Sequence, residues 1–117
     1  MSTPVITVPP DMSLDSFSNF IMIHKHMGYP VTDDTILLGI VTFNDIHGHK
    51  KNSASLQIKD IMTTPVITIT PGRDAVDAFK IMAKHGIGRL VVTENNHVQG
   101  IISRSDLLHT VKLKEIA

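Results

Sequence analysis

The chain has 117 residues, 42% of them apolar, which suits one compact domain or two small halves sharing a core. Eleven Lys and Arg balance eleven Asp and Glu, so no polyanion-binding field covers the chain and nucleic acid is excluded as its main partner. Cysteine is absent, aromatics make up 4%, and no run approaches the roughly 20 apolar residues of a bilayer span, so thiol chemistry, a base-stacking platform and direct membrane insertion fall away.

Absence of cysteine fits a reducing compartment, and no secretory leader is visible; the expected location is cytoplasmic, the cytosolic part of a membrane protein included. In chain order, Thr3 to Pro10 is a β-branched run with proline at both ends, which reads as a short strand. Ser13 suits a helix cap, and Leu14, Phe17, Phe20, Ile21 and His24 recur at three- and four-residue steps, so a helix is predicted that stops near Gly28, ahead of Pro30. Val31–Asp34 reads as a short strand and turn, Ile36–Thr42 as a strand, and a short helix starts near Phe43 with Asp45 in its first turn. His47 to Ser55 is polar and reads as a linker.

The same order then returns. Thr64 to Pro71 repeats the first strand, and Asp74–His85 the helix, with Val76, Phe79, Ile81 and Met82 expected inward and Ala75 and Ala78 allowing close packing. Arg89–Thr93 and Val98–Ser103 are strands about a turn at Glu94-Asn95-Asn96, and a last helix is expected from Arg104 to about Lys112. With a constant shift of about 61 positions the copies align without a gap from Met1 to Ile46. Pro4-Val5-Ile6-Thr7 falls on Pro65-Val66-Ile67-Thr68, His24 on His85, Gly39-Ile40 on Gly100-Ile101, and Asp45 on Asp106. The expected organisation is a first copy over 1–49, a linker over 50–57 and a second copy over 58–117. Each copy is too small to stand alone, so the expectation is an α/β (α+β) fold in which two β-α-β-β-α repeats cover each other about a pseudo-twofold axis.

The repeated segments Gly39-Ile40-Val41-Thr42-Phe43-Asn44-Asp45 and Gly100-Ile101-Ile102-Ser103-Arg104-Ser105-Asp106 are the candidate sites. A strand ending in Thr42 or Ser103 and feeding a helix offers a hydroxyl and free N–H groups to a phosphate. Asp45 and Asp106 offer acceptors for a pair of vicinal hydroxyls. Ile6, Ile40, Ile67 and Ile101 can sandwich a flat base, and Arg89 and Arg104 can reach phosphates. Ordinary helix capping explains Ser or Thr followed by Asp as well, and a duplication would inherit it. His24 and His26 are expected on different faces of the helix, His47-Gly48-His49 falls in the linker without a nearby Cys or acid cluster, and no nucleophile–base–orienter set is visible, so neither a metal site nor catalysis is expected.

Thr64-Pro65-Val66-Ile67-Thr68-Ile69, His85-Gly86-Ile87-Gly88-Arg89-Leu90-Val91-Val92 and Gly100–Asp106 together resemble a tandem pair of CBS motifs, a Bateman module, over nearly the whole chain. The resemblance implies a non-catalytic regulatory module that needs no cofactor and binds AMP, ADP, ATP or S-adenosylmethionine in two clefts between the copies. It implies that Asp45 and Asp106 hold ribose, that Thr42 and Ser103 approach phosphates, that Ile6, Ile40, Ile67 and Ile101 flank the base, and that Arg89 neutralises phosphate. It also implies a homodimer and an effector domain in a longer parent chain; the alternative is a ligand-free dimerisation or assembly module. Two departures stand out: Gly28 occupies the place of Arg89 in the first copy, and the first copy lacks the lead-in Gln57–Ile61. The chain therefore reads as part of a longer protein. His26-Met27-Gly28-Tyr29-Pro30-Val31 is similar to CBS pairs attached to membrane-embedded zinc proteases of the site-2 type.

Overall fold

The structure is a computed structural model that describes residues 5–48 and 55–105. It divides into two compact units, an N-terminal one of Ile6–Val66 and a C-terminal one from Ile67 onward. Each mixes helices with a small sheet.

In the N-terminal unit, α1 (Leu14–His24) starts at Ser13, whose side chain accepts a hydrogen bond from the Ser16 N–H. The spacing puts Leu14 and Phe17 on its buried face, with Phe20 and Ile21 packed beside them. The helix ends at His24, earlier than Gly28, because Lys25 turns into the left-handed region at φ 59° and its N–H donates to the Ile21 carbonyl at 2.7 Å. His26 consequently lies beyond the helix, not on another of its faces. The strand β1 (Gly28–Asp33) then begins before Pro30 and pairs antiparallel with β2 (Ile36–Thr42), which feeds the short helix α2 (Phe43–His47). The run around Val5–Thr7 does not form the expected strand: only Val8 bridges, in parallel, to Val31. The proline at position 30 has no N–H to extend that ladder toward Ile6, and Pro10 has none to extend it on the other side.

The core of this unit comprises Val8, Leu14, Phe17, Tyr29, Val31, Val41, Ile46 and Ile58. Ile58 belongs to α3 (Ile58–Ile61), which opens the second copy in sequence but packs on the core of the first. The Leu14 N–H donates to the Leu56 carbonyl at 3.1 Å, and the N–H groups of Ile58 and Lys59 donate to Met12 and Pro10 at 2.9 Å each. The start of α1 and the lead-in are thus tied together by backbone.

The C-terminal unit repeats the plan. The expected strand over 64–71 is reduced to β3 (Thr68–Ile69), parallel to β4 (Arg89–Glu94), which pairs antiparallel with β5 (His97–Ser103). Between them α4 (Ala75–His85) is capped by Asp74 and ends at Gly86, φ 64°. Ala78 and Met82 are buried and Ala75, Phe79 and Ile81 pack around them, whereas Val76 is 55% exposed. Positions 75, 78, 79 and 82 make the inward stripe, and Val76 stands about 100° away from its first member.

The duplication extends to fine detail. The parallel bridge Val8↔Val31 matches Ile69↔Val92, and both hairpins shift register at the same place, between Val31 and Thr32 and between Val92 and Thr93. The β4–β5 turn uses Asn95 and Asn96 at φ 52° and 65°, residues that tolerate the left-handed region. Lys25 and Gly86 occupy equivalent left-handed caps, but only glycine takes that conformation without steric cost. Lys25→Gly is therefore expected to raise stability by about 0.5–1 kcal/mol in urea unfolding; a loss would show that the lysine stem compensates through packing.

Candidate ligand-binding site

The first motif is built where β2 stops. Thr42 is still extended (φ −121°, ψ 166°), and its N–H and hydroxyl both donate to Asp45 Oδ2, at 2.8 and 3.1 Å. The Phe43 N–H donates to the Met27 carbonyl at 2.9 Å, which holds the helix start against the residue before β1. Thr42 and Asp45 are half-buried and come together as the spacing required. Their contact is a cap. The same device recurs outside the motif, where the Gln57 N–H donates to Asp60 Oδ2 at 2.9 Å. A carboxylate has about four lone-pair sites, so two donors on one oxygen leave acceptor capacity for ligand hydroxyls.

In the second motif, the Arg104 N–H donates to the Gly88 carbonyl at 2.8 Å, the counterpart of the Phe43–Met27 bond. Ser103 stands opposite Arg89 in the β4–β5 register, and the Arg104 Nη2 donates to the Ile87 carbonyl at 3.3 Å. Arg89 is half-buried and Arg104 exposed. Asp106 lies outside the described residues, as do His49, most of the expected linker and the last helix beyond Ser105.

The isoleucines are placed differently from the simple sandwich. Val8 pairs with one edge of β1 and β2 with the other, so the segment of Ile6 and the strand of Ile40 lie on opposite sides of β1. In the C-terminal unit β4 likewise separates β3, which follows Ile67, from Ile101 on β5. All four side chains are half-buried. The neighbour of Ile40 is instead Thr63: the Ile40 N–H donates to the Thr63 carbonyl at 3.1 Å, and the Thr63 N–H to that of Ile40 at 2.8 Å.

Thr63 and Met62 are contributors that the repeat pattern did not single out. Their signal in the sequence is Gly39, since a glycine inside a strand often marks close approach by another backbone. A Cβ on Gly39 would stand 2.7 Å from Met62 Sδ and 3.1 Å from the Thr63 carbonyl oxygen. The methionine can move, but Thr63 is held to Ile40 by two backbone hydrogen bonds, one of them accepted by this carbonyl. Gly39→Ala is expected to cost about 1–3 kcal/mol in urea unfolding, and a change below about 0.5 kcal/mol would mean that the crossing segment yields freely.

Three histidines are engaged with rings. His24 lies 4.2 Å from Phe20, His26 is edge-on to Tyr29 at 5.8 Å, and His47 is 6.0 Å from Phe43, all between centroids. Among the described residues no three His, Cys, Asp or Glu side chains gather as metal ligands.

This doubled arrangement has a match among protein families: the CBS domain model fits residues 1–50 and again residues 58–113. The chain belongs to the CBS domain family. As a tandem CBS pair it is similar to part of a zinc metalloprotease of Methanocaldococcus jannaschii, 32% identical over 99% of this chain and 32% of that protein. It is also similar to part of the inosine-5'-monophosphate dehydrogenase of Korarchaeum cryptofilum, 36% identical over 90% of this chain and 22% of the enzyme. The chain thus spans about a third or less of these curated relatives. Among solved structures, the CBS domain pair of protein MJ0100, in complex with 5′-methylthioadenosine and S-adenosyl-L-methionine, matches with TM-score 0.86 and 26% identity over 97% of this chain and 93% of that one. Among the described residues, no helix is long and apolar enough to cross a membrane.

Proposed function

We propose that this CBS pair is a non-catalytic regulatory module that binds adenosyl compounds at its repeated Thr/Ser-x-x-Asp motifs and passes the binding to an effector domain of a longer chain. The observation that carries this reading is the near full-length likeness to the MJ0100 pair, whose two ligands both carry an adenosyl group. Asp45 and Asp106 receive the ribose hydroxyls and Thr42 and Ser103 face the tail. Backbone beside Ile40 and Ile101 supports the base, with Ile6 and Ile67 as further apolar wall. Capping by Asp45 is compatible with this role, because the cap uses one carboxylate oxygen. The likeness to a third of a zinc metalloprotease suits an effector that is an enzyme, with this module on the cytosolic side. Regulation requires the ligand to bind one state of the module better than another, and that difference limits its effect.

Thermal shift with AMP, ATP, S-adenosylmethionine and 5′-methylthioadenosine, with GTP as control, tests the reading. A rise of several degrees confined to adenosyl compounds, and lost in Asp45→Ala/Asp106→Ala, is expected. No rise with any of them would favour assembly as the function. One observation supports that second reading: Met22 and Ile23 on α1 are 75% and 73% exposed, an apolar pair suited to a homodimer contact. Sedimentation of the wild type beside Met22→Lys/Ile23→Lys tests it, with conversion from dimer to monomer expected.

A further inference from the structure

The backbones of the two motifs follow one pattern, but the side chains around them carry different charge. Arg89 faces Ser103 across the β4–β5 ladder, where Gly28 faces Thr42 across β1–β2. Arg104 and Phe43 make equivalent backbone bonds, to Gly88 and Met27. One motif therefore has two guanidinium groups at its strand end, and the other has a glycine and a phenyl ring.

Among the described residues neither guanidinium has a carboxylate partner. Arg104 gives one N–H to the Ile87 carbonyl, which anchors the side chain over the start of β4 and leaves its other donors available. Among the described residues, a Cβ on Gly88, between Ile87 and Arg89, would meet nothing within 4 Å. Phe43 is 42% exposed, with the His47 ring tilted 35° to it. The basic residues nearest Gly28 in sequence are Lys25, in the helix cap, and His26, whose ring leans on Tyr29.

We infer that the two motifs are specialised by the charge of the ligand's tail: the second takes a phosphate-bearing adenosyl compound, and the first one without phosphate. This rests on the adenosyl reading above and refines it. A terminal phosphate carries a charge of about −1.5 to −2 near neutral pH and is held well by forked guanidinium donors. Against Gly28 and Phe43 it would lose water without gaining a charged partner. An uncharged tail loses little there and can lie on the phenyl face.

Calorimetric titration of the whole chain with AMP, adenosine and 5′-methylthioadenosine tests the inference. The wild type is expected to take one equivalent of AMP at high affinity. Arg89→Gln/Arg104→Gln, which keeps much of the stem length, should weaken AMP by about tenfold or more and leave adenosine within about threefold. Gly28→Arg/Phe43→Arg should gain a second tight equivalent of AMP, and circular dichroism should show both variants folded. Two equal AMP equivalents in the wild type, or AMP affinity unchanged by the Gln pair, would overturn the inference while leaving the adenosyl reading in place. Failure of every adenosyl compound to bind the folded wild type would overturn both.

Discussion

Ile58→Ala is expected to lower the stability of the chain by about 2–5 kcal/mol, the range for truncating a buried aliphatic side chain. Ile58 has no solvent exposure and sits in the core built by Leu14, Phe17 and Tyr29. By sequence it belongs to the lead-in of the second copy, where a surface residue of a connecting segment would cost within about 0.5 kcal/mol. The size of the effect therefore reports which core the lead-in completes. Urea unfolding of the variant decides: a loss near 0.5 kcal/mol would mean that 55–61 is a connector. Backbone bonds from this segment to Pro10, Met12 and Leu14 make the larger loss the expected one.

The second large effect is at Tyr29. Its ring is fully buried and meets Phe17 and Phe20 edge-on, at 5.6 and 5.4 Å between centroids. Removing it in Tyr29→Ala takes away burial and both edge contacts, so a loss of about 3–5 kcal/mol is expected. Tyr29→Phe keeps the rings and removes only the oxygen that accepts from the His26 N–H at 2.9 Å. His26 is exposed, so water can take over as acceptor, and the loss should stay within about 0.5–1.5 kcal/mol. Similar losses for the two variants in denaturant unfolding would show that the hydroxyl, not the ring, holds this corner. The second copy has Leu90 at this place, with Ala78 and Ile81 where Phe17 and Phe20 stand, so the same backbone plan is filled by aliphatic packing there.

The local features of the fold were readable because they depend on neighbours in the chain. Ser13 and Asp74 cap helices where hydroxyl or carboxylate precedes an apolar stripe, and β2 runs from Ile36 to Thr42 as its pattern requires. The Thr42–Asp45 contact follows from a three-residue spacing alone, and so does its double meaning, since a cap and a ribose grip use the same atoms. The β-branched runs at 3–10 and 64–71 misled for a physical reason. Strand propensity describes a residue's fit to a pleated surface, but a ladder also needs a partner with an N–H to give, and the partner position across from the first run is Pro30. Val76 misled similarly, as an apolar residue one step off a stripe whose direction the small residues Ala75 and Ala78 set.

By itself, the sequence determined the duplication, its family, the starts of α1, α2 and α4, and the charge difference between the motifs, because these reside in residue order. Tertiary structure decided what lies beside what. It put Ile58 into the first core, put β1 between the strand of Ile40 and the segment of Ile6, and laid Met62 and Thr63 over Gly39. A segment finds such a place through apolar burial and backbone bonds between residues distant in the chain, and neither term appears in the spacing of residues along it.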